Sequence, residues 1–209
     1  MTATSYLSVA RAGSSEIEVK RSRFLAHVAP VDSEDAARAV VESARKAHWD
    51  ARHHCSAFVL GPDASVQRSN DDGEPSGTAG APMLEVLRGR ELSDTVVVVT
   101  RWFGVTLLGA GGLVRAYSDA ARAGLDEVGV RRRVLMSRFD LVAGHADAAR
   151  WEADLRARGV TVLGVDHAER ATLHLAVPHP DVALFEAHVA ALTAGTAVPV
   201  AAGDTWVDG

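Results

Sequence analysis

The segment Asp71-Asp72-Gly73-Glu74-Pro75-Ser76-Gly77-Thr78-Ala79-Gly80 constrains this chain more than any other. It holds three glycines, one proline and three carboxylates, and nothing apolar larger than alanine. No core helix or strand is built from such residues, because glycine and proline interrupt regular backbone and none of these side chains fills a core. An ordinary connection takes about two to six residues, so a polar run of this length inside a folded domain reads as a functional loop. A second glycine-rich stretch follows it, Arg101-Trp102-Phe103-Gly104 and then Leu108-Gly109-Ala110-Gly111-Gly112-Leu113-Val114-Arg115-Ala116-Tyr117. Residues 95–100 between them are valine bracketed by threonine, the composition of a central strand buried on both faces. Two glycine loops flanking one such strand define a candidate site.

The elements around this site follow from periodicity. Ile17 and Val19 alternate with charge and predict a strand running on through Phe24; Asp32 or Ser33 caps a helix with Ala37, Val40, Val41, Ala44 and His48 at helical spacing. Residues 55–60 read as a strand with Cys55, Ala57 and Val59 on one face, turned at Gly61-Pro62-Asp63 into a hairpin with residues 66–68. Residues 82–87 predict a short helix, and Gly111-Gly112 opens a longer one. Arg131-Arg132-Arg133 reads as a solvated linker, giving domains at 1–134 and 135–209. Beyond it, apolar alternation at 139–141, 160–162 and 173–177 and helical spacing at 148–155 and 182–192, with a last strand at 196–201, spell β-α-β-β-α-β. That is the ferredoxin-like order, so the fold class is α+β.

Composition narrows the function. The first 135 residues balance at seventeen basic and seventeen acidic groups, while residues 136–209 carry five and ten, so the net charge of -5 belongs to the C-terminal third. A basic face on the N-terminal part remains open. No stretch is long enough to span a bilayer, and the N-terminus lacks an apolar leader, so a cytoplasmic chain with no membrane partner is expected. Cys55 is the only cysteine, which rules out an intramolecular disulfide and a four-cysteine metal site. His54 and Cys55 are neighbours on a strand and point in opposite directions, which argues against zinc at His48, His53, His54 and Cys55. No cofactor is expected.

Residues 109–112 ahead of a helix offer free backbone N–H groups, yet they match no named phosphate loop: Ala110 and Gly111 stand where a P-loop has Lys-Ser/Thr, and Val114 replaces the third glycine of a dinucleotide fingerprint. Arg101 and Arg115 flank the segment, and two readings of them stand side by side: ion pairs with Asp71, Asp72 or Glu74, or contacts to a bound anion. The paired carboxylates lack the alternating ladder of a calcium loop, and Ser76 and Thr78 lie in no nucleophile motif. The candidate ligand-binding set is Arg52, His54, Asp72, Glu74, Ser76, Thr78, Arg101, Gly104, Gly109, Gly111, Gly112 and Arg115, with no catalytic residue assigned.

Lys20-Arg21-Ser22-Arg23-Phe24, Asp50-Ala51-Arg52-His53-His54-Cys55, the acidic glycine loop and residues 97–117 together resemble the IMPACT/YigZ family, in the family's order. Two departures stand out: Val105 where a second glycine is usual, and Trp49 where proline is common. The first bears on any close backbone approach at position 105. The resemblance implies an N-terminal β-α sandwich of the ribosomal-protein and elongation-factor-G domain IV type, and a C-terminal domain like the same factor's domain V. It also implies a link to translation, since eukaryotic members act in translational control through a ribosome-associated partner. The first expectation is therefore RNA or ribosome binding, with Arg52, Arg101 and Arg115 on phosphates and Trp102 and Phe103 stacking on a base or serving the core. A phosphorylated small molecule at the same loops, bound or turned over, is the second; a protein-interaction adaptor is the third.

Overall fold

The computed structural model describes residues 3–209 and is a mixed α/β structure with two sheets and five α-helices among them. Contacts divide it into two compact units, the residues up to Arg132 and Arg133–Gly209.

In the first unit, β1 (Ser5–Val9) precedes a fully antiparallel sheet of order β2-β3-β6-β4-β5, made of Gly13–Val19, Ser22–Pro30, Thr95–Trp102, His53–Leu60 and Val66–Asn70. The valine strand β6 is central, as its composition requires. Val97 and Val99 join Phe24, Cys55 and Ala57 in a core under α2 (Gly80–Gly89) and α3 (Ala110–Val128). Val96 and Val98 pack with Phe58 and Leu60 under α1 (Glu34–Ala47) on the opposite face. Ser33 caps α1 by accepting from the Ala36 N–H at 3.2 Å, with Glu34 and Asp35 in the first turn and Arg45 and Lys46 in the last, so the charges complement the helix dipole.

One expected strand is a hairpin instead. The chain turns at Lys20 and Arg21, at φ 49° and 66°, and returns as β3. Two successive left-handed residues make a tight hairpin turn, normally signalled by Asn or Gly, so no sequence signal marked it. Gly104 backs this turn: a Cβ there would lie 2.4 Å from the Arg21 carbonyl, and its N–H donates to Ser22 Oγ at 3.0 Å. The close approach thus falls at Gly104, while Val105 is 81% exposed and leaves it undisturbed.

The second unit takes β7 (Val130–Ala143) from Arg133 onward, and α4 (His145–Ala157), β8 (Thr161–His167), β9 (Ala171–Pro178), α5 (Val182–Leu192) and β10 (Val200–Asp208) follow in chain order, with the strands lying as β10-β7-β9-β8. Their core is Phe139, Leu141, Trp151, Leu155, Leu173, Leu175 and Phe185. Two expectations are corrected. Arg131, Arg132 and Arg133 belong to β7 rather than to a loop, their long aliphatic stems being compatible with a strand. The last strand starts at Val200, four residues after the expected Thr196, whose hydroxyl instead donates to the Thr193 carbonyl at 2.6 Å.

Candidate functional site

The acidic loop between β5 and α2 is organised by its own carboxylates. Asp71 accepts backbone N–H bonds from Gly77, Ala79 and Gly80 at 2.7, 3.0 and 2.8 Å. Burial works to raise its carboxyl, but these three donors outweigh that and hold it below the usual carboxylate range. Asp72 takes the His54 N–H at 2.6 Å and an Arg45 guanidinium N–H at 2.6 Å, while its carbonyl accepts from His53 Nδ1 at 2.8 Å. Thr78 donates its hydroxyl to the Pro75 carbonyl at 2.6 Å. Ser76 is exposed.

Beneath the loop lies a buried polar cluster. Glu74 Oε1 accepts from Arg101 Nη1 at 2.6 Å and from the Tyr117 hydroxyl at 2.7 Å, and the two charged side chains are only 3% and 5% exposed. Phe24 and Phe103 flank the guanidinium, 5.4 and 4.3 Å from ring centre to Arg101 Cζ, which compensates part of its lost hydration. Cys55 Sγ lies 3.3 Å from the Tyr117 oxygen and 3.0 Å from the Asp71 carbonyl. Burial pushes the Cys55 thiol up to about 12 and raises the Tyr117 phenol as well, so neither ionises near neutrality. This cluster joins loop, β4, β6 and α3. It is a structural clamp.

The expectation that Arg101 offers its charge to a ligand phosphate is therefore corrected: the guanidinium is committed to Glu74. Sequence reading placed Asp71, Asp72, Glu74 and Arg101 at one site but gave Asp71 no backbone-capping role and missed Tyr117 and Arg45. An aspartate heading a glycine-rich turn is a recognisable backbone-capping signal, whereas nothing local marks the Tyr117 hydroxyl. Of the three adjacent strand residues, His54 faces the α1 side, away from Cys55, and is 5% exposed with Nδ1 lacking a partner. Burial lowers its pKa below that of an ordinary imidazole. Among the described residues no group of three or more His, Cys, Asp or Glu is placed to hold a metal ion.

The remaining candidates lie on the surface. Gly109, at φ 72°, precedes α3 as its cap, and Gly111 and Gly112 occupy the first turn. The helix starts at Ala110, so Arg115 sits in its second turn. It is exposed, half a turn before Tyr117, whose ring meets Phe24 edge-on at 5.2 Å. Arg52 is exposed, its guanidinium 5.6 Å from the Phe103 ring centre. Phe103 is 49% exposed and Trp49 83%, so these aromatics are not spent on the core. Trp102 is half-buried, donates to Asp50 at 2.9 Å and carries Arg23 over its face at 4.7 Å.

Most arginines on this unit are matched to a carboxylate, Arg23 to Glu16 and Arg45 to Asp72 among them. Lys20, Arg21, Arg52 and Arg115 form no ion pair with any described residue. All four stand at the β6-exit end of the sheet: Gly104 rests on the Arg21 turn, Arg52 covers Phe103, and Arg115 follows from the loop that leaves β6. This end is a cationic, aromatic surface.

Fold and site together describe an α/β chain with a self-capped acidic loop and a basic rim. The Impact N-terminal domain model matches residues 20–125, and a domain of unknown function, DUF1949, matches residues 141–196. The chain is 41% identical to the IMPACT family member YvyE of Bacillus subtilis (strain 168) over 191 residues, 91% of this chain and 88% of the relative. It is 39% identical to the IMPACT family member YigZ of Escherichia coli (strain K12) over 181 residues, 86% of this chain and 89% of the relative. A solved structure described as a crystal structure of an hypothetical protein aligns with TM-score 0.66 at 36% identity, over 95% of this chain and 97% of the other. The chain belongs to the IMPACT family. Among the described residues no helix is long and apolar enough to cross a membrane.

Proposed function

We propose that this chain binds RNA, free or on the ribosome, in the cytoplasm and modulates translation, using the β6-exit end of its first sheet. The observation that carries this reading is the group of four exposed cations without carboxylate partners, Lys20, Arg21, Arg52 and Arg115, beside the exposed rings of Phe103 and Trp49. Unpaired cations are free to displace counterions from phosphates, and exposed rings give bases a stacking platform. The uncapped first turn of α3 adds backbone donors at Gly111 and Gly112, with no acidic side chain there to repel an anion. We assign residues 1–134 to the ribosomal-protein and elongation-factor-G domain IV type, and 135–209 to a ferredoxin-like domain; the strand order β10-β7-β9-β8 supports the latter. Family membership supports the link to translation, the role attached to eukaryotic IMPACT proteins.

The test is binding to single-stranded RNA and co-sedimentation with ribosomes across a salt series, for wild type and Arg52→Ala/Arg115→Ala. Each phosphate contact contributes about 0.7 to the slope of log affinity against log salt on single strands, so the double variant should flatten it by roughly 1.4. Affinity indifferent to salt, or an unchanged slope in the variant, sinks the reading.

A further inference from the structure

Where α1 ends, the sheet beneath it is left partly open. The helix presents Ala44 and Ala47 there in place of the larger Val40 and Val41 that cover the sheet earlier, and a cleft of about 180 Å³ remains. Leu25 gives it an apolar floor and Ala47 a small wall; Ser14, His27, Ser43, His48 and Thr100 supply polar edges. A cleft left by poor packing would be lined by aliphatic groups, whereas this one carries five hydrogen-bonding side chains and no carboxylate, lysine or arginine.

The protonation of its lining selects the kind of occupant. Burial, with His48 nearby, lowers the His27 pKa, so at pH 7 the ring is neutral and carries one donor and one acceptor nitrogen. Its Nδ1 is engaged with Ser14 Oγ at 2.8 Å, which leaves the other nitrogen. Hydroxyls at Ser14 and Thr100 likewise donate or accept. Hydroxyls and the His27 ring, mixed donors and acceptors with no basic side chain beside them, are poorly suited to phosphate and well suited to the edge of a neutral heterocycle lying on an apolar floor. At about 30 Å³ per water the volume equals roughly six waters, enough for one base and little more. His54 stands beside Thr100 in the same cross-strand row, with its buried Nδ1 unsatisfied.

The cleft is also continuous with the cationic aromatic surface. His48, one of its walls, packs edge-on against Trp102 at 5.3 Å, and Trp102 carries the Arg23 guanidinium on its face. We infer that the cleft between the end of α1 and the β3–β6 strands receives a single unstacked RNA base while the neighbouring cations hold the phosphates. This inference rests on the RNA-binding reading and assigns that reading its base-recognition pocket.

Homo-octamers of A, C and U ribonucleotides, each with a matched octamer of abasic ribose phosphates, separate the base from the backbone. Wild-type protein should bind at least one base-bearing octamer about tenfold or more tightly than the abasic one, since a held base is worth about that factor. Ala47→Leu, which fills the cleft from an exposed helix position, should remove the preference and leave abasic binding unchanged. Ser14→Ala, on the exposed rim, should weaken it in the same direction without perturbing the fold. Equal wild-type affinity for both kinds of octamer overturns the inference while the phosphate-binding reading stands. A preference that survives Ala47→Leu and Ser14→Ala overturns it too, by placing the base on Phe103 or Trp49. Absence of any RNA binding at low salt overturns both.

Discussion

Replacing Arg101 by methionine tests the clamp beneath the acidic loop. The guanidinium and the Glu74 carboxylate meet at 2.6 Å with 5% and 3% of their side chains exposed, so removing one leaves the other charge buried and unpaired. Breaking a buried pair in this way costs about 3–5 kcal/mol. The first unit comprises the residues up to Arg132, a size at which each kcal/mol moves the melting temperature by about 4 °C; the single variant should melt about 12–20 °C lower. The partner substitution Glu74→Leu strands the arginine and should cost a similar amount. The double variant Glu74→Leu/Arg101→Met puts apolar side chains in place of both charges. It should recover most of the loss, leaving chiefly the Tyr117 hydroxyl without its acceptor, at about 1–3 kcal/mol. Urea unfolding of the full chain, read by reaction of Cys55 with a thiol reagent, isolates this unit, because Cys55 is its sole thiol and fully buried. A single-variant loss under about 1 kcal/mol, or a double variant no more stable than either single one, would refute the argument that each buried charge depends chiefly on the other.

Two further outcomes follow from other parts of the molecule. His174 sits between Asp140 at 2.6 Å and Asp166 at 3.0 Å; the hydrogen bond to Asp140, then that to Asp166, raises its pKa, and Arg138 faces the same Asp140 carboxylate at 3.6 Å. A group protonated more readily when folded stabilises fully below its unfolded pKa of about 6.5 and loses that stabilisation as pH rises through the folded value. The second unit should therefore lose stability on going from mildly acidic to mildly alkaline buffer, and His174→Gln should flatten the dependence in thermal melts; an unchanged pH profile in the variant removes this account. Gly104→Ala would push a Cβ to 2.4 Å from the Arg21 backbone and should cost about 1–3 kcal/mol, whereas Gly111→Ala meets nothing within 4 Å in a helical conformation and should stabilise by about 0.5–1 kcal/mol. Calorimetry that ranks the two the other way would remove the steric argument.

The contrast between these positions marks how far sequence reaches. The central strand was legible because four consecutive valines admit one environment, buried on both faces, and that requires no knowledge of partners. Its neighbour turn at Lys20 and Arg21 was not, since two long charged residues at positive φ give no local cue and are held by Gly104, distant in sequence. The β-α-β-β-α-β order was readable from alternation, but the start of β10 was not, because Thr196 and Ala197 fit a strand as well as the loop they form. Nothing beside His174 in the sequence marks it; its carboxylate partners come from two other strands and appear only with the register. At the site, residue types identified the loop, whereas which carboxylate binds the backbone, which is buried and which cations stay unpaired depends on contacts between distant segments.

Asp71 carries a last implication, for how this loop tolerates mutation. Three backbone amides converge on one carboxylate, while Pro75 and Ser76 at the loop crest face outward. Tolerance is therefore sharply uneven within ten residues. Crest side chains can vary in size and charge with little effect on shape, and so are free to retune what the surface meets. Position 71 has no such latitude, because even asparagine would trade one accepting oxygen for a second donor facing the same amides.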